Sequence, residues 1–167
     1  MQKIAAHSAQ KATDEGVRLW ALASAQFPVR HGLILDAAET AIIEVISSFA
    51  LNARRAMETL PGKERYELTQ PRWKWDTKDG DEVVRELRDA LNRIIHAQQL
   101  EVRFVKLPPS VSVIDGGAVV VPFLHARTDR KSTACIDPFA LAHVYLYKVL
   151  PQLSAIASAA EDPPAVH

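Results

Sequence analysis

The stretch DEVVRELRDALNRIIHAQQ, residues 81 to 99, decides how this chain is read. Val84, Leu87, Leu91, Ile94 and Ile95 return at steps of three and four, which at about 100° per residue gathers them into one apolar stripe. Gly80 interrupts the chain just ahead, and Asp81 and Glu82 sit where the positive end of a helix dipole favours carboxylates. The spacing predicts a helix that starts near Asp81. Arg85, Asp89, Asn92 and His96 follow at i, i+4, i+7 and i+11 and form a second, polar stripe beside the first. Arg88 falls near the border between the stripes and Arg93 on the far flank, so His96 has cations within reach.

Two readings of the polar stripe stand. An ordinary wet helix side with an Arg85/Asp89 pair worth a few tenths of a kcal/mol accounts for it. Alternatively, Asn92 and His96, one turn apart, point together into a cleft where imidazole trades protons near neutral pH and an arginine offsets phosphate charge.

Downstream the period changes from 3.6 to near two, and Val, Ile and Phe become frequent. Leu100 to Leu107, Val111 to Ile114, Ala118 to Ala126 and Ser132 to Ile136 read as strands with short links, which favours antiparallel neighbours. Asp115-Gly116-Gly117 supplies positive φ cheaply and predicts a hairpin. His125, Arg127, Asp129 and Arg130 gather near one end of this sheet, either as a polar hairpin tip or close to His96. Asp137-Pro138 is an N-cap and first-turn pair for an apolar helix from Phe139 to Leu150, with His143 as a core histidine. Pro151 kinks or stops that helix, and a weaker segment continues to Ala160.

Upstream, Asp14 to Gln26 suits a short helix ended by Pro28. Leu35 to Leu60 keeps a helical period over seven turns, with Asp36 and Glu39 as its capping pattern and Pro61-Gly62 as its stop. Arg54 and Arg55 read as a solvated face near its end. From Gly62 to Gly80 runs a long connection without helical period. There Trp73 and Trp75 straddle Lys74 and follow Arg72, a pattern suited to covering the core, binding a partner or stacking a nucleic-acid base.

The fold class expected is therefore α+β, mainly a helical bundle with an inserted small antiparallel sheet of three or four strands. At 167 residues the chain suits a single domain over 1–160 with a frayed tail from 161 to 167. Lys plus Arg equals Asp plus Glu at 20 each, so no global positive field draws nucleic acid, and any RNA site must be a local patch. The one cysteine, Cys135, excludes an intrachain disulfide and argues against a cysteine zinc site; no metal and no cofactor are expected. No secretory pattern and no apolar run of membrane-spanning length occurs, which predicts a cytoplasmic protein.

ALNRIIHA, residues 90 to 97, resembles the signature of the HEPN (higher eukaryotes and prokaryotes nucleotide-binding) superfamily, helical domains that include metal-independent ribonucleases of toxin and defence systems. LNARRAME, residues 51 to 58, extends the resemblance loosely into the preceding helix. Active members read Arg, often Asn, then three to five residues and His; Asn92 and His96 match, but Leu91 holds the arginine position. The resemblance implies RNA as partner, a homo-oligomer, His96 as proton carrier, Asn92 as its orienting amide, and Arg88 or Arg93 as the charge that offsets phosphate. With Leu91 in that place it equally implies a noncatalytic relative, a binding or dimerisation module that engages a partner protein.

Overall fold

A computed structural model describes residues 2–62, 64–68 and 80–161. The elements run α1 (Gln2–Ser24), β1 (Phe27–Pro28), α2 (Gly32–Met57), β2 (Glu82–Val83), α3 (Leu87–Ile95), β3 (Gln99–Lys106), β4 (Ala118–Arg127), β5 (Ala134–Ile136) and α4 (Pro138–Val144). A π-helical turn (Tyr145–Val149) then leads into α5 (Leu150–Glu161). The protein is α+β, as the change of period predicts. Arg72, Trp73, Lys74 and Trp75 lie outside the described residues.

Helix α1 is longer than the apolar count predicts, because Ser8, Ala12, Glu15, Leu19 and Ala23 are its buried positions. They keep a helical period, but every one of them except Leu19 is small or polar. Glu15 is taken up at the interface with α2, where it accepts hydrogen bonds from the Ser48 hydroxyl and from Asn52. Helix α2 begins at Gly32, ahead of Asp36 and Glu39, because the His31 ring accepts the Ile34 amide as its cap. Its buried face takes in Ala38, Ile42, Val45, Ile46, Phe49, Ala53 and Ala56, which keep the helical period of the sequence, and with them Ala50, Asn52 and Met57.

Helix α3 starts at Leu87, six residues later than predicted. The reason lies in the backbone hydrogen bonds of residues 82–87. Glu82 and Val84 donate to Thr133 and Cys135, which makes β2 a parallel neighbour of β5, while Arg85 and Leu87 pair with Leu68 and Tyr66. With those groups committed sideways, the helix opens only where the Glu86 carboxylate accepts the Asp89 amide at 2.8 Å. Leu87 and Leu91 are fully buried, each contributing about 2 kcal/mol of apolar burial.

Among the described residues the sheet has five strands, with β4 paired to β1, β3 and β5. It is mixed, since β2 runs parallel to β5 whereas the other pairings are antiparallel. Val111 to Ile114 form no strand: the Gln26 amide side chain binds Val111 and Val113 instead, and Gly116 and Gly117 turn the chain at φ of 84° and 102°. Between Val120 and Phe123, β4 spends one residue more than β3 does between Arg103 and Val105. Pro122, which has no amide to donate, sits in that bulge. Leu124, Ala126, Ala134 and Ile136 face the helices and complete the main core with Phe49, Leu87, Leu141 and Tyr145.

The last helix does not stop at Pro151. A proline there cannot donate to Tyr147 and its ring crowds that carbonyl, so the preceding turn widens, and Leu150 donates to Tyr145, five residues back. His143 is held by its ring, stacked on Tyr147 at 4.7 Å, rather than by hydrogen bonding; its Nδ1 has no hydrogen-bond partner.

Candidate functional site

Where α3 ends, its polar stripe meets the β4–β5 loop. Asp89, Asn92, Arg93 and His96 from the helix and Thr128, Asp129, Arg130 and Lys131 from the loop line a cleft of about 410 Å³. The two sets lie together because Gln98 donates to the Arg127 carbonyl at 2.8 Å and β3 pairs Gln99 with Arg127, which holds the helix end beside the end of β4. His96 terminates the helix with its amide on the Asn92 carbonyl at 3.0 Å, and both side chains are exposed. Arg130 and Lys131 are the solvent-facing cations of the cleft; Asp129 and Asp89 approach them at 3.9 and 4.0 Å.

Arg93 lines the cleft but is spent on structure. Its side chain is buried, with Nη2 at 2.6 Å from Glu82, Nε at 3.4 Å from Asp89 and Nη1 at 3.4 Å from the Ser132 carbonyl. This guanidinium ties α3 to β2 and to the base of the loop, and it holds the Glu82 carboxyl below its usual range. Arg88 is directed elsewhere: Nη2 reaches the Met57 carbonyl at 3.5 Å, at the end of α2, and the residue is absent from the cleft lining. The arginine that does reach the Asn92/His96 pair is Arg54, whose Nε donates to Asn92 Oδ1 at 3.3 Å while Nη1 pairs with Glu58 at 3.1 Å. It belongs to the LNARRAME segment, so the signal was present, but its pairing with Glu58 reads equally as a solvated helix side. Leu91 is fully buried.

A second group of polar side chains lies across the sheet. His125 and Cys135 stand directly opposite in the β4–β5 register, and Asp81 immediately precedes β2. Their donor atoms fall within 4.8 Å of one another. Asp81 Oδ2 is 3.2 Å from His125 Nε2 and 3.8 Å from Cys135 Sγ. The first contact has the distance of an ion pair without the alignment of a hydrogen bond, which leaves buried Nε2 without a hydrogen-bond partner. Arg103 Nε donates to the other ring nitrogen, Nδ1, at 3.3 Å. Burial lowers the His125 pKa despite the charge of Asp81, and burial reinforced by Asp81 pushes the Cys135 thiol up to about 11. A thiol so placed is no nucleophile at neutral pH. Sequence spacing does not reveal this group, because its members come from three separate segments and meet only through strand register.

Comparison with protein-family models, curated proteins and solved structures gives no match. The chemistry therefore has to be read from the two groups themselves. The cleft offers an accessible imidazole, an amide and exposed cations, suited to a phosphate-bearing ligand. The inner group offers a thiol, an imidazole and a carboxylate, suited to a metal ion.

Proposed function

We propose that the α3/loop cleft binds an RNA phosphodiester and cleaves it without a catalytic metal, in the manner of the HEPN ribonucleases of bacterial toxin and defence systems. The observation that carries the reading is that His96 and Asn92 share one concavity with Arg130 and Lys131. Neutral His96 accepts the proton of the ribose 2′-hydroxyl as its oxygen attacks the adjacent phosphorus. The bond from phosphorus to the 5′ oxygen breaks, and that oxygen takes a proton from solvent, leaving a 2′,3′-cyclic phosphate and a 5′-hydroxyl. Arg130 and Lys131 offset the charge that builds on the phosphoryl oxygens. Arg54 fixes Asn92, and Asn92 positions the end of the helix that carries the imidazole.

Purified protein incubated with single-stranded and hairpin RNA in chelator-containing buffer tests this. Cyclic-phosphate ends are expected, with His96→Ala lowering the rate at least about 100-fold, the usual minimum for a lost acid–base group. Cleavage indifferent to His96→Ala rejects the assignment.

A second reading, a noncatalytic binding or dimerisation module, is favoured by one feature: Leu91 occupies the family's arginine position and is committed to the core. The same experiment separates the two. Under the second reading RNA is left intact. Binding, if RNA is the partner, then weakens with Arg130→Ala and Lys131→Ala, each lowering the salt slope by about 0.7 on single strands.

A further inference from the structure

We propose that Asp81, His125 and Cys135 form a site for a zinc-class divalent cation, with three protein donors and water in the fourth tetrahedral position. The cluster shares no residue with the His96 cleft, so it stands or falls apart from the reading of that cleft.

The geometry comes first. Bond lengths typical of zinc with carboxylate, imidazole and thiolate place tetrahedral donors roughly 3.4 to 3.6 Å apart. The separations centred on Asp81 Oδ2 are 3.2 Å to Nε2 and 3.8 Å to Sγ, close to both edges of that window. His125 and Cys135 sit on β4 and β5, which are paired to each other, and Asp81 immediately precedes β2, which is paired to β5, so the frame is built before any ion arrives. His125 is only 4% exposed, and its Nε2 faces the other two donors with no hydrogen-bond partner. A buried ring nitrogen left in that condition is costly, and a metal bond satisfies it. Binding displaces the Cys135 thiol proton to solvent, the thiolate and the Asp81 carboxylate then balance the divalent charge, and a thiolate with an imidazole selects a borderline-soft ion over magnesium or calcium.

Loading also makes a demand on the neighbours. Arg103 donates to His125 Nδ1, so that nitrogen carries no hydrogen in the metal-free arrangement. Coordination through Nε2 moves the hydrogen to Nδ1, which then needs an acceptor. Glu101 stands opposite His125 in the β3–β4 register and is paired with Arg103 at 3.1 Å. With a metal bound, the guanidinium turns from the ring and the Glu101 carboxylate takes the Nδ1 hydrogen, acting as a positioning residue for the ligand.

The test is a titration of the full chain, freed of tag and metal, with Co²⁺ as a spectroscopic substitute. Because Cys135 is the one cysteine in the sequence, a thiolate-to-cobalt charge-transfer band reports this site alone. The expected result is that band together with the visible bands of tetrahedral cobalt, saturating at one ion per chain and abolished by an equivalent of Zn²⁺. Asp81→Asn and His125→Gln are expected to weaken the affinity at least tenfold, and Glu101→Gln by 10- to 100-fold with the band shape kept. Should a ligand variant fail to fold, the wild type still decides: Zn²⁺ raises its melting temperature and slows modification of Cys135 by a thiol reagent. A wild-type protein that gives no charge-transfer band in excess Co²⁺ and no thermal shift with Zn²⁺ overturns the proposal.

Discussion

Replacing Arg93 with alanine should cost about 3 kcal/mol of folding stability, and the figure follows from its surroundings. The charge-assisted bond to Glu82 at 2.6 Å is worth about 2 kcal/mol. The i,i+4 pair with Asp89, whose carboxylate is 40% exposed, adds about 0.4 kcal/mol. The contact with the Ser132 carbonyl and the buried methylene stem add about 1 kcal/mol. The total stays at the low end of the 3 to 5 kcal/mol, roughly, for breaking a fully buried pair, because Glu82 is 47% exposed and regains water when its partner leaves. For a chain of this size that is a fall in melting temperature of roughly 6 to 12 °C. A double-mutant cycle with Glu82→Gln should return a coupling of about 1 to 2 kcal/mol. The pH dependence has a defined sign: a carboxyl held below its usual value stabilises the fold above about pH 4.5, and that share is lost as pH falls through the depressed value. Thermal or urea unfolding of the three variants reads all of this. A loss under about 1 kcal/mol, or a coupling of zero, would refute the view of Arg93 as the tie between α3, β2 and the loop.

Leu91→Arg should unfold the protein or cost more than about 4 kcal/mol, since it drives an unpaired charge into a fully buried position; a near-native melting curve would contradict the packing described. Tyr145, buried with its pKa pushed up to about 12, keeps its proton in the folded state while the unfolded chain releases it near 10. Stability should therefore be complete below pH 10 and fall as pH rises toward 12, and Tyr145→Phe should flatten that alkaline limb in denaturant titrations. Gly117→Ala should cost about 1 to 3 kcal/mol, because φ is 102° there and the added Cβ meets Val29 Cγ1 at 3.3 Å; an unchanged urea midpoint would show that the turn tolerates side chains.

The legible parts of the fold were those where one physical signal dominated. The period of Leu35 to Leu60 marks α2, and Ala118 to Ala126 marks β4, because apolar burial dominates the position of both. The start of α3 was not legible. Residues 82–87 carry a helical pattern of side chains, but their backbone amides are claimed by the carbonyls of residues 66, 133 and 135 and the Arg85 carbonyl by the Leu68 amide, and such long-range pairings leave no local trace. The same cause hid the parallel β2–β5 pair and the Asp81/His125/Cys135 group. At the cleft, the sequence placed Asn92 and His96 on one side of a helix and left open whether His125, Arg127, Asp129 and Arg130 come close to His96; Asp129 and Arg130 share its lining, whereas His125 and Arg127 do not. It did not indicate which arginine meets Asn92, since Arg54 and Arg88 differ only in where two helices cross.

The widened turn at Tyr145–Val149 has an effect on the chain that leaves α2. One residue beyond what an α-turn holds re-phases everything after it by about 100° around the axis. With that offset Gln152 meets the chain leaving α2, taking the Tyr66 hydroxyl at 2.8 Å and donating to Glu64 at 3.1 Å. The proline that forces the turn open thus sets the angular index of a latch, and shortening the turn by one residue would swing that latch off its keeper.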